Sequence, residues 1–94
     1  MRRAARKDGN QSKIERALKR RHITYTDTST FGNGFPDLVV GYDSQNYLFE
    51  VKDPDQPPSK RMLTPAEQTF HQSWRGQVAV IETVEDVLRV IFDK

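Results

Sequence analysis

Cysteine is missing altogether from these 94 residues, which excludes a disulfide framework, a thiolate zinc site and a cysteine nucleophile. A cytoplasmic setting is the expectation that follows. Long apolar runs are missing too. The longest uninterrupted aliphatic stretch is Val78-Ala79-Val80-Ile81, far short of the ~20 residues a membrane helix needs. The amino terminus, Met-Arg-Arg-Ala-Ala-Arg-Lys-Asp, is basic but leads into polar sequence, so neither a signal peptide nor a membrane span is expected. No internal repeat and no low-complexity tract is present. The two histidines, His22 and His71, have no zinc-like spacing and are assigned to structure.

What remains is a chain with 35% apolar content, enough for one modest core but not for a catalytic domain plus a separate recognition domain. A single domain over 1–94 is expected. The net charge is only +2, yet residues 1–21 hold nine Lys or Arg against Asp8 and Glu15. That local surplus of seven leaves the rest of the chain acidic, the pattern of a basic arm over 1–8 and a helix face joined to an acidic body. Phosphate backbones attract such arms through counterion release, without reading sequence. Arg2, Arg3, Arg6, Lys7, Arg20 and Arg21, with Lys60 and Arg61 further on, are the candidate phosphate contacts.

Ile14, Ala17, Leu18 and Arg21 fall at helical spacing, so a helix is expected to begin near 9 to 11 and run to about 21. The β-branched and aromatic residues of 22–28 suit a strand. Leu38-Val39-Val40-Gly41-Tyr42 and Tyr47-Leu48-Phe49-Glu50-Val51-Lys52 read as two more, joined through the short polar Asp43-Ser44-Gln45-Asn46 into an antiparallel hairpin. Pro54, Pro57 and Pro58 predict an irregular, stiffened loop over 53–63. Thr64-Pro65-Ala66-Glu67 then combines a capping threonine, a proline at the first helical position and a capping-box glutamate. The helix it opens runs to about Trp74, with Phe70 and Trp74 assigned to the core. A fully buried strand over 77–82 and a last helix starting at Thr83, with Val84, Val87, Leu88 and Ile91 inward, complete the order α-β-β-β-α-β-α, an α/β fold with a mixed central sheet flanked by helices.

Glu50 and Lys52 stand two apart in a strand, so both point to one face while Val51 points to the other. Folding the hairpin brings positions near 37 level with positions near 52, so Asp37 approaches Glu50. Two carboxylates brought together repel unless a proton or a cation intervenes, and hard oxygen ligands suit Mg²⁺ or Mn²⁺. An acidic-x-Lys triplet alone is more often a solvated ion pair. The conjunction is sharper: a glycine-rich break, Pro-Asp, an apolar strand, a turn, a second apolar strand and Glu-x-Lys within about twenty residues.

On Glu15 in the first helix, Gly34-Phe35-Pro36-Asp37-Leu38, Glu50-Val51-Lys52 and Gln68, the chain resembles the VRR-NUC family of the PD-(D/E)xK nuclease superfamily. The resemblance spans roughly 9–92 and implies a restriction-endonuclease-like core. It further implies that Asp37, Glu50 and the backbone carbonyl of Val51 hold the divalent metal, that Lys52 orients or helps deprotonate the attacking water, that Glu15 serves a second metal or its water, and that Gln68 supports Lys52 or a phosphate. Likeness to stand-alone phage and bacterial members implies a homodimer that cuts branched DNA such as four-way junctions, in a bacterial cell or phage-infected host. A flap or duplex nuclease of the same fold, or a non-catalytic basic DNA-binding module, are the alternatives.

Overall fold

The computed structural model describes residues 7–93. Arg2, Arg3 and Arg6, expected to contact phosphate, lie outside the described residues. The chain runs α1 (Gln11–Arg20), β1 (Thr24–Asp27), β2 (Leu38–Tyr42), β3 (Gln45–Val51), α2 (Pro65–Ser73), β4 (Ala79–Ile81) and α3 (Val84–Phe92). The four strands form one mixed sheet in the order β1-β2-β3-β4, antiparallel except for the β3–β4 pair. A chain that leaves β3 and returns parallel to it needs a long crossover, and α2 lies within that crossover. The α/β class and the element order agree with the sequence expectation.

One face of the sheet carries the core. Leu38, Val40, Phe49, Val51 and Ile81 meet Ile14 and Leu18 of α1 and Val87 and Ile91 of α3. Ile14, Ala17 and Leu18 are buried because they share one stripe of α1, and α1 in turn contacts β1 and α3. A capping box starts α3, with the Thr83 hydroxyl accepting from the Asp86 backbone and the Asp86 carboxylate reaching back to the Thr83 N–H. Among the described residues no helix is long and apolar enough to cross a membrane.

The structure departs from expectation in four places. Strand β4 is three residues long and stands at the sheet edge, so Val80 is 45% exposed instead of buried. The proline-containing loop includes a 3₁₀ turn at Pro58–Lys60, because prolines pre-set the φ such a turn requires. The hairpin turns on Asp43 and Ser44 alone, both left-handed at φ 52° and 62°, the two-residue geometry that matches strand twist. Phe70 is only half-buried and Trp74 is 43% exposed, so neither belongs to the core.

Helix α2 begins as the sequence predicts, with Thr64 and Glu67 completing both halves of the capping box. It buries none of its residues completely and packs broadly against no other helix or strand. Its anchorage depends on Gly34. At φ +78° that residue holds a conformation side chains rarely adopt, and a Cβ there would run into the Ala66 carbonyl.

Candidate active site

The tight hairpin sets the geometry. Leu38 pairs with Phe49, so one further step along the antiparallel register places Asp37 opposite Glu50 itself, two positions closer than a level pairing with Lys52. Backbone bonds fix this join: the Asp37 N–H donates to the Phe49 carbonyl at 2.9 Å, and the Val51 N–H donates to Asp37 Oδ2 at 2.8 Å. Val51 turns its side chain into the core, which leaves Glu50 and Lys52 on the opposite face. Both are buried there, Glu50 at 2% exposure and Lys52 at 7%. The strand end is stapled from before α1 by Asn10, whose amide donates to the Lys52 carbonyl at 2.9 Å and the Glu82 carbonyl at 2.7 Å.

Electrostatics follow from that burial. Removal from water, then the hydrogen bond and charge of Asp37, push the Glu50 carboxyl up to about 10. Asp37 is also raised, by burial and by the Glu67 charge, against the hydrogen bonds it accepts. Near neutral pH the two side chains therefore hold a proton between them. Glu50 Oε1 is buried without a hydrogen-bond partner among the described residues. Lys52 Nζ lies 3.7 Å from Glu50 Oε2 and donates to Glu67 Oε1 at 2.8 Å. Burial alone would lower Lys52, but the bond to Glu67 and the surrounding carboxylates hold it above its ordinary value. Glu67 is held below its own, although burial opposes this, because Lys52 and the Thr64 N–H both donate to it.

Glu15 sits in a second group of polar side chains. Gln11, fully buried, donates from Nε2 to Glu15 Oε2 at 3.0 Å, Asp27 Oδ1 at 3.2 Å and the Asp37 carbonyl at 3.3 Å. Glu15 is thus one amide removed from the Asp37 backbone. Lys7 closes this group, its ammonium 3.1 Å from Glu15 and 3.0 Å from Asp27. Ser29 donates to Asp27 from both its N–H and its hydroxyl.

Several expected roles fall differently. Gln68 is exposed, and its neighbour Glu67 makes the contact to Lys52 that the resemblance assigned to the glutamine. Lys7 is turned onto carboxylates, and Arg61 pairs with Glu82 at 3.6 Å. The Arg21 guanidinium donates to the Ala17 carbonyl. Arg20 and Lys60 are exposed. His22 is exposed and left-handed at φ 58°, and His71 is half-buried with its pKa lowered by burial.

Sequence alone does not single out Gln11 or Asp27 for the site. Gln11 is within its reach, because it lies four residues before Glu15 on one face of α1. Glu67 reads from sequence as a cap only; that its carboxylate serves Thr64 and Lys52 together depends on how α2 docks. Nothing local marks Asp27.

Among the described residues no three Asp, Glu, His or Cys side chains are arranged to hold a metal ion. The donor set in question is two carboxylates and one backbone carbonyl. Those carboxylates fit a hard cation: they are adjacent, desolvated, share a proton, and leave Glu50 Oε1 without a partner. Comparison with family models, curated proteins and solved structures returned no match.

Proposed function

We propose that this chain is a metal-dependent, structure-selective DNA endonuclease with a restriction-endonuclease-like core, its active site centred on Asp37, Glu50 and Lys52. The observation that carries the reading is half-buried Asp37 placed beside buried Glu50, with the Lys52 ammonium held against Glu50. Carboxyls whose pKa values are strongly displaced by desolvation and by each other, beside a charged partner, are a recognised mark of a functional site. Asp37, Glu50 and the Val51 carbonyl would hold Mg²⁺ or Mn²⁺. When bound, such an ion supplies positive charge that polarises a phosphodiester and acidifies water.

The chain's own groups divide the remaining work. Val51 N–H fixes the Asp37 carboxylate, so one donor oxygen is pre-set. Lys52, kept protonated by Glu67, acts as a charged donor that orients the scissile phosphate and offsets charge developing on its oxygens, rather than as a base. Glu67 keeps that ammonium in place while α2 closes one side of the site. Glu15, through Gln11, steadies the Asp37 end of β2 and presents a further carboxylate to the same edge.

A homodimer is part of the proposal. Two sites related by a two-fold axis can cut two strands of a four-way junction symmetrically, and pairing adds buried area to a small domain. The test is cleavage of four-way junctions, flaps and linear duplex with and without Mg²⁺ or Mn²⁺, beside a light-scattering mass. Junction cutting that needs the metal and is lost in Lys52→Ala supports the reading. Equal degradation by wild type and Lys52→Ala overturns it.

A further inference from the structure

Four aromatic rings form a continuous row that leads away from the candidate site. Phe31 meets Phe35 with centroids 5.3 Å apart, Phe35 meets Phe70 edge-on at 5.5 Å, and Phe70 stacks on Trp74 at 4.9 Å and 18°. Its two ends are open to solvent, Phe31 at 63% and Trp74 at 43% exposure. Exposed apolar rings are unfavourable in water, and a row of them in a small domain implies a surface that something covers. Phe70, within the row, stands one helical turn beyond Glu67, the residue that holds Lys52. It is therefore continuous with the site.

Charge indicates the occupant. The segments that carry the rings, 28–36 and 68–81, contain no Asp or Glu in a protein with 13 acids. Arg75 follows Trp74 directly, and Gln68, Thr69, Gln72 and Ser73 give α2 an exposed surface that is polar and hydrogen-bonding. A stable protein–protein interface needs roughly 800 Å² per partner, and homodimer interfaces have an apolar centre, whereas these rings are bordered by amides and hydroxyls. Aromatic faces bordered by hydrogen-bonding side chains and the Arg75 cation, on segments that carry no acid of their own, match unpaired nucleobases on a phosphate chain.

We propose that Phe31 and Trp74 are the ends of a stacking platform that takes unpaired bases of a nucleic-acid strand and leads that strand to Lys52. This rests on the nucleic-acid reading above and adds a preference: single-stranded or splayed DNA beside the cut. Bases reach such rings only where they have left the duplex, as at a branch, so the platform supplies structure selectivity without reading sequence.

Trp74 is the single tryptophan of the chain, so its fluorescence reports the platform directly. In metal-free buffer, an oligothymidylate should quench Trp74 emission, and an abasic oligomer of equal length, with the same phosphates and no bases, should not. Phe31→Ala should weaken oligothymidylate binding about tenfold. The comparison of the two oligomers on the wild-type chain needs no variant to fold. Equal affinity for both without quenching overturns the platform, as does emission that changes with protein concentration alone, which places a second copy on the rings. Because no metal is present, the two proposals fail separately. A chain that binds by stacking but cleaves nothing in Mg²⁺ keeps the platform and loses the nuclease, and one that cleaves yet treats both oligomers alike loses only the platform.

Discussion

Leu38, Val40, Phe49 and Val51 on one face of the sheet, and Glu50 and Lys52 on the other, are buried to a similar depth but in surroundings that differ in kind. The first face is closed by α1 and α3, each laying an apolar stripe on the strands. The second is approached by α2, which is held by a glycine contact and an ion pair and completely buries nothing of its own. Alternation along β3 assigns successive residues to the two faces. The difference places the packed core on one side and the candidate site on the other, so substitutions one residue apart should act on different properties.

The largest effect should come from the closed face. Phe49→Ala removes a fully buried ring from the centre of the core and should cost about 4 kcal/mol, read as a shift in the urea midpoint at unchanged slope. Glu50→Gln, its immediate neighbour, should leave stability near pH 7 almost unchanged, because the wild-type side chain is already neutral there. A loss as large as that of Phe49→Ala would break the distinction between the faces.

Second is the pH response of the metal-free chain. Glu50 keeps its proton when folded up to about 10 but ionises near its ordinary value of 4.5 when unfolded. Between those values unfolding releases a proton, so stability falls as pH rises, by about 1.4 kcal/mol per pH unit. Asp37 pushes the same way. Glu67, Asp27 and Asp86, held below their ordinary values, give the opposite arm, with stability lost on acidification. Glu50→Gln should flatten the alkaline arm only. Mg²⁺ or Mn²⁺, competing with the Glu50 proton, should raise the melting temperature more at alkaline than at acidic pH. An equal shift at both, or none, counts against these carboxylates as metal ligands.

Third, Gly34→Ala should cost about 2 kcal/mol, since it adds both a strained φ and a contact with the Ala66 carbonyl. Its effect should concentrate on the open face: hydrogen exchange should quicken in α2 more than in α1 or α3.

What was legible in the sequence follows the same division. Stripes, caps and strand alternation are local signals, so α1, β2, α3 and the start of α2 appear at or near their expected positions. Position in the sheet is not local. Val78-Ala79-Val80-Ile81 has the composition of a central strand, yet β4 is an edge, and only the pairing order reveals it. Asp43 and Ser44 adopt left-handed turn geometry without a glycine to announce it. That starts the second strand at Gln45, two residues earlier than expected, and slides Asp37 to face Glu50. Asp37, Glu50 and Lys52 were identifiable because two-residue alternation and a hairpin place them, whereas Gln11, Asp27 and the aromatic row depend on how helices and loops dock.

The smallest expected effect tests the one exchange of neighbours on α2. Glu67 Oε1 accepts from both Lys52 Nζ and the Thr64 N–H, so Glu67→Gln should cost about 1 kcal/mol at neutral pH by weakening a charged hydrogen bond at a partly exposed site. Gln68→Ala, on an exposed position, should stay within about 0.5 kcal/mol. Because the Glu67 carboxylate is held below its ordinary value, its contribution is present above that value and disappears as acid protonates it. Urea midpoints of wild type and Glu67→Gln should accordingly converge as acid protonates that carboxylate, below its ordinary value, while any small difference at Gln68 should not depend on pH. A pH-dependent loss in Gln68→Ala and none in Glu67→Gln would return the supporting role to the glutamine, and Lys52 would then lose the carboxylate that keeps it a charged donor.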